Sequence, residues 1–110
     1  MRKFHKDRTL PTNGEIFVFG SNLAGIHGAG AASVAYKMFG AEWFKGDGFY
    51  GHSYAIPTKD RKIITRDIDK IIESVFEFVV YTHTHQNHKF WVTRIGCGLA
   101  GLKDSENRLS

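Results

Sequence analysis

The chain has 110 residues and a formal net charge of +4, with 42% hydrophobic residues and one cysteine, Cys97. This length excludes two independent domains, and the hydrophobic content excludes an intrinsically disordered chain. The positive charge fits a protein that meets polyanions and equally one whose small ligand is anionic, so charge alone does not choose between them.

Localisation follows from what the sequence lacks. No apolar run is long enough to cross a bilayer, and the basic start is not followed by the apolar core of a signal peptide. One cysteine cannot form an internal disulfide, which agrees with a reducing compartment. We therefore expect a cytoplasmic protein with no membrane partner, and we interpret the basic N-terminal segment, residues 1–13, as a solvated tail.

The first predicted elements are a strand, a loop and a helix. Continuous apolar residues from Ile16 to Phe19 predict a strand buried on both faces. After a glycine-rich loop, the small and apolar residues from Ala29 to Phe39 recur at helical spacing and predict a helix that packs closely on a sheet. Gly40 is expected to end this helix.

The second half of the chain predicts a loop, a strand, a helix and a last strand. Gly46 to Gly51 is an aromatic loop that either closes over a ligand or packs on the core. Ser53 to Pro57 predicts a short strand ended by its proline. Apolar positions three and four residues apart predict the longest helix from Asp67 to Tyr81, and Lys89 to Ile95 reads as the last strand.

This order of elements predicts a compact three-layer α/β/α domain with a mixed central sheet, extending over residues 14–105 and followed by a short tail, residues 106–110. Both residues 16–19 and residues 91–95 are expected to be buried central strands of that sheet.

Two glycine-rich loops carry the strongest functional signal. One leads from Gly20 to Gly30 into the first helix, and the other is Gly96-Cys-Gly-Leu-Ala-Gly101 after the last strand. Glycines let backbone amides approach a phosphate, and a helix N-terminus favours an anion. The first loop lacks the lysine and hydroxyl residue of a P-loop and the acidic residue of a dinucleotide fingerprint. The pair predicts a diphosphate ligand, against the alternative that the first loop is only a tight turn.

Three other features have competing interpretations. Asn22 can donate to a ribose or phosphate, or it can brace the turn. His83, His85 and His88 suggest zinc, but polar residues surround them and no carboxylate or cysteine accompanies them, so no metal site is expected. Cys97 is better explained as a small buried residue than as a reactive thiol.

In combination, these motifs resemble the macro-domain superfamily, whose members bind ADP-ribose. The segments that carry the resemblance are Phe17 to Gly25, His27 to Ala31, Ser53 to Asp60 and Thr93 to Gly101. The Gly-Cys-Gly-Leu loop resembles the corresponding loop of the branch that includes DNA and terminal-protein ADP-ribosyl glycohydrolases. Taken together, the four segments more closely resemble small macro-like proteins of tailed phages and bacteria. A phage origin would place the protein in the host cytoplasm.

The resemblance implies a ligand-binding set and a catalytic pair. Asn22 matches the asparagine on the ribose side, and Lys59 matches the lysine that glycohydrolases use near the anomeric carbon. The aspartate that follows Gly-Cys-Gly-Leu in the terminal-protein hydrolases is replaced here by Ala100, which leaves Asp104 as a substitute. The implied ligand-binding residues are Asn22, Gly25, His27, Gly28, Gly30, Gly96, Cys97, Gly98, Leu99, Ala100 and Gly101.

The resemblance also bears on the end of the chain and on function. Related proteins continue after Lys-Asp-Ser into a helix that covers the sheet, so either this domain is shortened or an edge is left for a partner. The leading hypothesis is binding of ADP-ribose or a related nucleotide diphosphate without a cofactor, with hydrolysis of an ADP-ribosyl bond as an open addition. The alternatives are a nucleic-acid-binding domain that uses the basic tail and exposed aromatics, and sequestration of a signalling nucleotide without turnover. The oligomeric state stays open.

Overall fold

A computed structural model describes residues 14–95 of the chain. In this range the chain forms four strands and two helices. The elements are β1 (Ile16–Asn22), α1 (Gly30–Met38), β2 (Gly48–Tyr50), β3 (Ser53–Lys59), α2 (Ile68–Thr84) and β4 (Phe90–Val92). The strands form one mixed sheet in the order β2-β3-β1-β4, in which β1 pairs parallel with both β3 and β4, and β2 pairs antiparallel with β3.

The alternation of side chains along β1 separates two cores, one on each face of the sheet. Phe17 and Phe19 point to the face covered by α1, where they pack with Ala32 and Ala35. Ile16 and Val18 point to the other face, where they pack with Phe78 of α2. Since successive residues of a strand face opposite sides, a strand that is apolar at every position needs cover on both. One helix on each face provides it, as the sequence predicts.

Both helices form where the sequence predicts them, with small shifts at their ends. Gly40 follows α1 with a φ of 78°, the left-handed conformation that glycine adopts without cost. The second helix continues three residues beyond Tyr81, to Thr84, so His83 lies in its last turn. No helix within residues 14–95 is long and apolar enough to span a membrane.

Two of the strand predictions need correction. The aromatic loop from Gly46 to Gly51 contains strand β2, which pairs with β3 and is therefore part of the sheet. Pro57 does not end its strand, because β3 continues to Lys59. The antiparallel pairing with β2 stops at Ala55, so the missing N–H of Pro57 interrupts no registered pair on that side.

The prediction that residues 91–95 form a central strand is also wrong for the described sheet. Strand β4 covers only Phe90–Val92 and lies at the end of the strand order, paired with β1 alone. Trp91 is nevertheless buried, whereas its two neighbours are half-buried. The apolar run correctly predicted that Trp91 is buried. Burial of a side chain, however, does not distinguish an edge strand from a central one.

Candidate functional site

A pocket of about 300 Å³ opens where the parallel strands β1 and β3 end and α1 begins. Its floor comes from the ends of the two strands and one wall from the loop that leads into α1. The lining residues are Gly20, Ser21, Asn22, Ile26, Gly28, Ala29, Ala32, Thr58, Lys59 and Ile63. In open α/β sheets, ligands bind in crevices outside the carboxyl ends of the strands, and this pocket has that position.

The hydroxyl groups at the floor of the pocket hold the strand ends together. Ser21 donates from its Oγ to the carbonyl of Gly46, and Thr58 donates from Oγ1 to the carbonyl of Ser21 at 3.3 Å. Both side chains are buried. Since their hydrogens are used inside the protein, they position the backbone rather than donate to a ligand.

Asn22 braces the loop that forms the wall. Its Nδ2 donates to the carbonyl of Ile26, and its Oδ1 accepts the N–H of the same residue, both at 3.0 Å. This pair of bonds closes the turn before α1. Bracing of the turn was one of the two roles that the sequence suggested for Asn22. The residue also lines the pocket, and an amide nitrogen has a second hydrogen, so bracing does not exclude a ligand contact.

A second loop, residues 42–46, packs against the loop that leads into α1, and none of its residues lines the pocket. Gly25 has a φ of 70°, and a Cβ there would overlap the backbone of Phe44. At Gly46 a Cβ would overlap the carbonyl of Asn22. The N–H of Phe44 donates to the carbonyl of Gly25 at 2.9 Å. These glycines therefore allow two backbones to touch, which is a packing role and not a ligand role.

His27 belongs to the same contact between the two loops. Its side chain is 1% exposed, and Nε2 contacts the carbonyl oxygens of Glu42 at 2.7 Å and Lys45 at 3.2 Å. Two carbonyl acceptors require Nε2 to carry its hydrogen. Nδ1 is buried with no hydrogen-bond partner. The ring packs between Phe19 and Trp43, so the structure places it outside the pocket.

The N-terminus of α1 is left open toward the pocket. Its N-cap residue is Ala29, in an extended conformation and with no side-chain hydrogen bond to the helix. The first four amides of a helix lack intrahelical partners, and the first backbone bond of α1 runs from the N–H of Ser33 to the carbonyl of Ala29, at 3.2 Å. A Cβ at Gly28 or Gly30 would meet nothing within 4 Å. The open amides and the helix dipole together favour an anion.

The opposite side of the pocket is the connection after β3. Lys59 is exposed and lines the pocket, so it supplies a hydrated positive charge. Asp60 uses its Oδ1 to accept the N–H groups of Lys62 at 2.8 Å and Ile64 at 3.0 Å, which closes a tight turn. Ile63 is held in this turn with a φ of 64°, a conformation that a β-branched residue rarely adopts.

The strained turn places Ile63 at the pocket, which has apolar side chains on two sides. The side chain of Ile63 is 46% exposed and lies on one side of the opening, while that of Ile26 is 43% exposed and belongs to the loop wall. Ala29 and Ala32 add further apolar surface. Strained residues persist where the surrounding structure fixes them and concentrate at ligand sites. The pocket thus combines apolar sides with an open helix terminus and one cation.

The structure brings together only part of the predicted site. Asn22, Gly28 and Lys59 line the pocket, and Gly30 lies at the start of the helix beside it. Gly25 and the His27 side chain do not line the pocket and instead form the contact between the two loops. The predictions for Gly96, Cys97, Gly98, Leu99, Ala100, Gly101 and Asp104 fall outside residues 14–95. Ile95, the last residue described, has its side chain 3.9 Å from the position of a Cβ at Gly20.

Seven of the lining residues were not among the predicted site residues: Gly20, Ser21, Ile26, Ala29, Ala32, Thr58 and Ile63. Ser21 and Thr58 lie in segments quoted for the resemblance, and a hydroxyl residue at the end of each parallel strand was an available signal. Ile63 gave no signal, because its position depends on a turn that sequence periodicity does not report.

Two of the three histidines near the end of α2, His85 and His88, make ring contacts, whereas His83 lies exposed in the last turn of the helix. His85 stacks on Tyr81 with centroids 3.9 Å apart, and His88 lies near Phe90 and Phe49. Across residues 14–95, no three His, Cys, Asp or Glu side chains are grouped as metal ligands. The absence of a metal stays a prediction.

Compared with protein-family models, with curated proteins and with solved structures, the chain has no match. The resemblance to macro domains therefore rests on the sequence motifs alone.

Proposed function

We propose that the protein binds ADP-ribose or a related nucleotide diphosphate in the pocket between β1, β3 and α1, and that its fold is that of a macro domain. The observation that carries this proposal is the uncapped N-terminus of α1, which opens on the same pocket as Lys59. Free amides and a cation on opposite sides of one crevice suit a phosphate group better than a neutral ligand.

The rest of the pocket suits the other parts of such a ligand. Ile26 and Ile63 offer apolar contact for a base or a sugar ring, and the second amide hydrogen of Asn22 is available to a ribose hydroxyl. The side chain of Ile95 lies beside Gly20 at the pocket floor, and the second glycine loop, Gly96 to Gly101, follows it directly in sequence. In the macro-domain resemblance this loop embraces the diphosphate.

Hydrolysis of an ADP-ribosyl bond is the further part of the proposal. Lys59 is the residue proposed to act near the anomeric carbon, with Asp104 as the proposed acid–base partner in place of Ala100. An exposed lysine keeps its hydration, which favours attraction of the ligand over nucleophilic attack. Slow turnover, or sequestration of a nucleotide without turnover, agrees better with this environment than fast hydrolysis.

The test is calorimetric titration of the protein with ADP-ribose, AMP and inorganic phosphate, together with Lys59→Ala and Lys62→Ala variants. Lys62 is an exposed lysine on the same turn and does not line the pocket. We expect ADP-ribose to bind more tightly than either fragment, Lys59→Ala to weaken binding several-fold, and Lys62→Ala to leave it unchanged.

The same variants address catalysis. Release of ADP-ribose from a modified protein or nucleic acid should be lost in Lys59→Ala while much of the binding remains. Binding without release by the parent protein would leave the sequestration function. No response to any of the three ligands would reject the pocket as a nucleotide site.

One observation favours nucleic-acid binding as the second candidate. Tyr36, Trp43 and Phe44 form a partly exposed aromatic cluster, with ring centroids 5.3 and 6.3 Å apart, and Lys37 and Lys45 are their neighbours in sequence. Exposed aromatics beside cations can stack unpaired bases. Affinity for single-stranded oligonucleotides that falls steeply with salt, and that is lost in Trp43→Ala without loss of ADP-ribose binding, would support it.

A further inference from the structure

Helix α2 has two apolar faces, of which the part of the fold described by residues 14–95 buries one. Its core face contributes the buried residues Ile71, Ser74 and Phe78. The opposite face carries Ile72, Phe76, Val79 and Val80, whose exposed fractions are 57%, 65%, 40% and 46%. A helix that is apolar on all sides is normally buried on all sides, and a contiguous exposed apolar patch marks an interaction surface. We call these four residues the outer face of α2.

The central part of the outer face, Ile72, Phe76 and Val80, is symmetric about Phe76. At 3.6 residues per turn, Phe76 lies on the side of α2 opposite its buried residues, and Ile72 and Val80 lie four residues before and after it. Asp69 and His83 lie seven residues before and after it on the same side, each about 10 Å away along the axis. One end of the face is therefore acidic and the other can donate a hydrogen bond.

This arrangement is complementary to itself in the antiparallel direction. When a second α2 is laid on the first about a two-fold axis at Phe76, the two Phe76 rings meet and Ile72 opposes Val80 of the copy. Asp69 then opposes His83 of the copy at both ends, and an imidazole N–H can donate to a carboxylate whether or not the ring is charged. Antiparallel helix dipoles also attract.

The remaining charges do not oppose this packing. Lys70 and Glu73 pair with each other at 4.0 Å along the same helix, and both are exposed. Lys70 lies at the rim of the interface, and Glu73, three residues before Phe76, opposes Val79 of the copy at the edge of the apolar contact, where its carboxylate still reaches water. We propose that the outer face of α2 is the interface of a homodimer, formed by two antiparallel copies of α2 with Phe76 on the two-fold axis.

The first test is sedimentation velocity of the full chain over a range of concentrations. The parent protein is expected to reach the dimer mass. Phe76→Glu places two carboxylates together on the axis and should raise the dissociation constant at least a hundredfold. Met38→Glu is the control, because Met38 is 60% exposed but belongs to α1 on the other face of the sheet, and this variant should dimerise like the parent.

The second test determines the register. Asp69→Lys places a lysine opposite His83, and His83→Glu places a glutamate opposite Asp69, so each should weaken the dimer. The double variant restores opposite charges at both ends and should recover the parent affinity. Oxidation of Phe76→Cys in a Cys97→Ser background should give a disulfide-linked dimer, whereas Met38→Cys in that background should not. Cross-linking does not depend on the stability of the Glu variant.

Three results would overturn the proposal. The first is a parent protein that stays monomeric at all concentrations. The second is a dimer that Phe76→Glu leaves unchanged, or whose charge variants show no recovery in the double variant. The third is a monomer whose melting temperature falls sharply in Phe76→Glu, because this would mean that the chain's own residues cover the outer face.

Discussion

At the scale of single residues, the glycines of the first loop divide into two kinds that the sequence does not distinguish. Gly25 has a positive φ and touches the backbone of Phe44, whereas Gly28 has ordinary backbone geometry and open space where a Cβ would go. The first allows the contact between the two loops, whereas the second lines the pocket. The same distinction explains why His27, though buried beside these glycines, is an anchor for the 42–46 loop.

This division predicts opposite outcomes for two alanine substitutions. Gly25→Ala combines a left-handed alanine with overlap against a fixed backbone, so we expect it to lower the free energy of unfolding by about 3 kcal/mol or more. Gly28→Ala should change it by less than about 0.5 kcal/mol. Urea unfolding of both variants measures this. Equal stability of the two would mean that the loops are not locked as described.

At the scale of elements, α1 begins without a side-chain cap, as α2 does, but its N-cap residue Ala29 has no polar side chain that could supply one. A serine at the N-cap position accepts a hydrogen bond from the second or third helical amide and typically stabilises a protein by about 1 kcal/mol. Ala29 already has the extended backbone that such a cap requires, with φ of −151° and ψ of 161°. The open terminus therefore costs stability, which is explained if a ligand anion uses the amides instead.

The corresponding prediction concerns Ala29→Ser. The hydroxyl should raise the free energy of unfolding of the unliganded protein by about 1 kcal/mol and, by competing for the amides, weaken binding of ADP-ribose. Ala31→Ser adds the same hydroxyl inside the first turn, where it cannot cap, and serves as the control. Thermal unfolding with and without ligand measures both effects. A serine at position 29 that stabilises without weakening binding would separate the helix terminus from the ligand.

At the scale of the whole molecule, the core under α2 sets a limit on stability at high pH. Burial raises the pKa of Tyr54 from 10.0 to about 12, with smaller contributions from Asp47, Glu77 and Tyr81. Burial also raises the pKa of Tyr81. The folded state therefore holds a proton that the unfolded chain releases above pH 10. Stability linked to Tyr54 is complete below pH 10 and is lost as the pH rises to about 12.

The size of this effect can be measured. Two pKa units correspond to about 3 kcal/mol, so the free energy of unfolding should fall by a value of that order between pH 10 and 12. Tyr54→Phe should flatten this dependence, and Tyr36→Phe, which removes a hydroxyl that is exposed in the folded chain, is the control for the substitution itself. A slope that is unchanged in Tyr54→Phe would assign the alkaline loss to other groups.

The sequence alone determined the class of fold and the direction of the search for a site. The apolar run from Ile16 to Phe19 required cover on both faces, and the helical spacing from Ile68 to Val79 required a long helix, because hydrophobic period reports which faces are buried. The glycines from Gly20 to Gly30 predicted a loop that leads into a helix N-terminus with free amides, against the alternative of a tight turn. These features depend on neighbours in the chain.

Tertiary structure decided what depends on distant neighbours. That β4 lies at the edge of the described sheet, that Pro57 lies inside β3 and that residues 48–50 form a strand all follow from pairing between segments, which local periodicity does not report. The separation of Gly25 from Gly28, and of His27 from the pocket, needed the 42–46 loop to be in place. Only the assembled fold showed that Phe76, an ordinary core residue by its spacing, faces away from the core, because a helix with two apolar faces can turn only one of them to its own sheet.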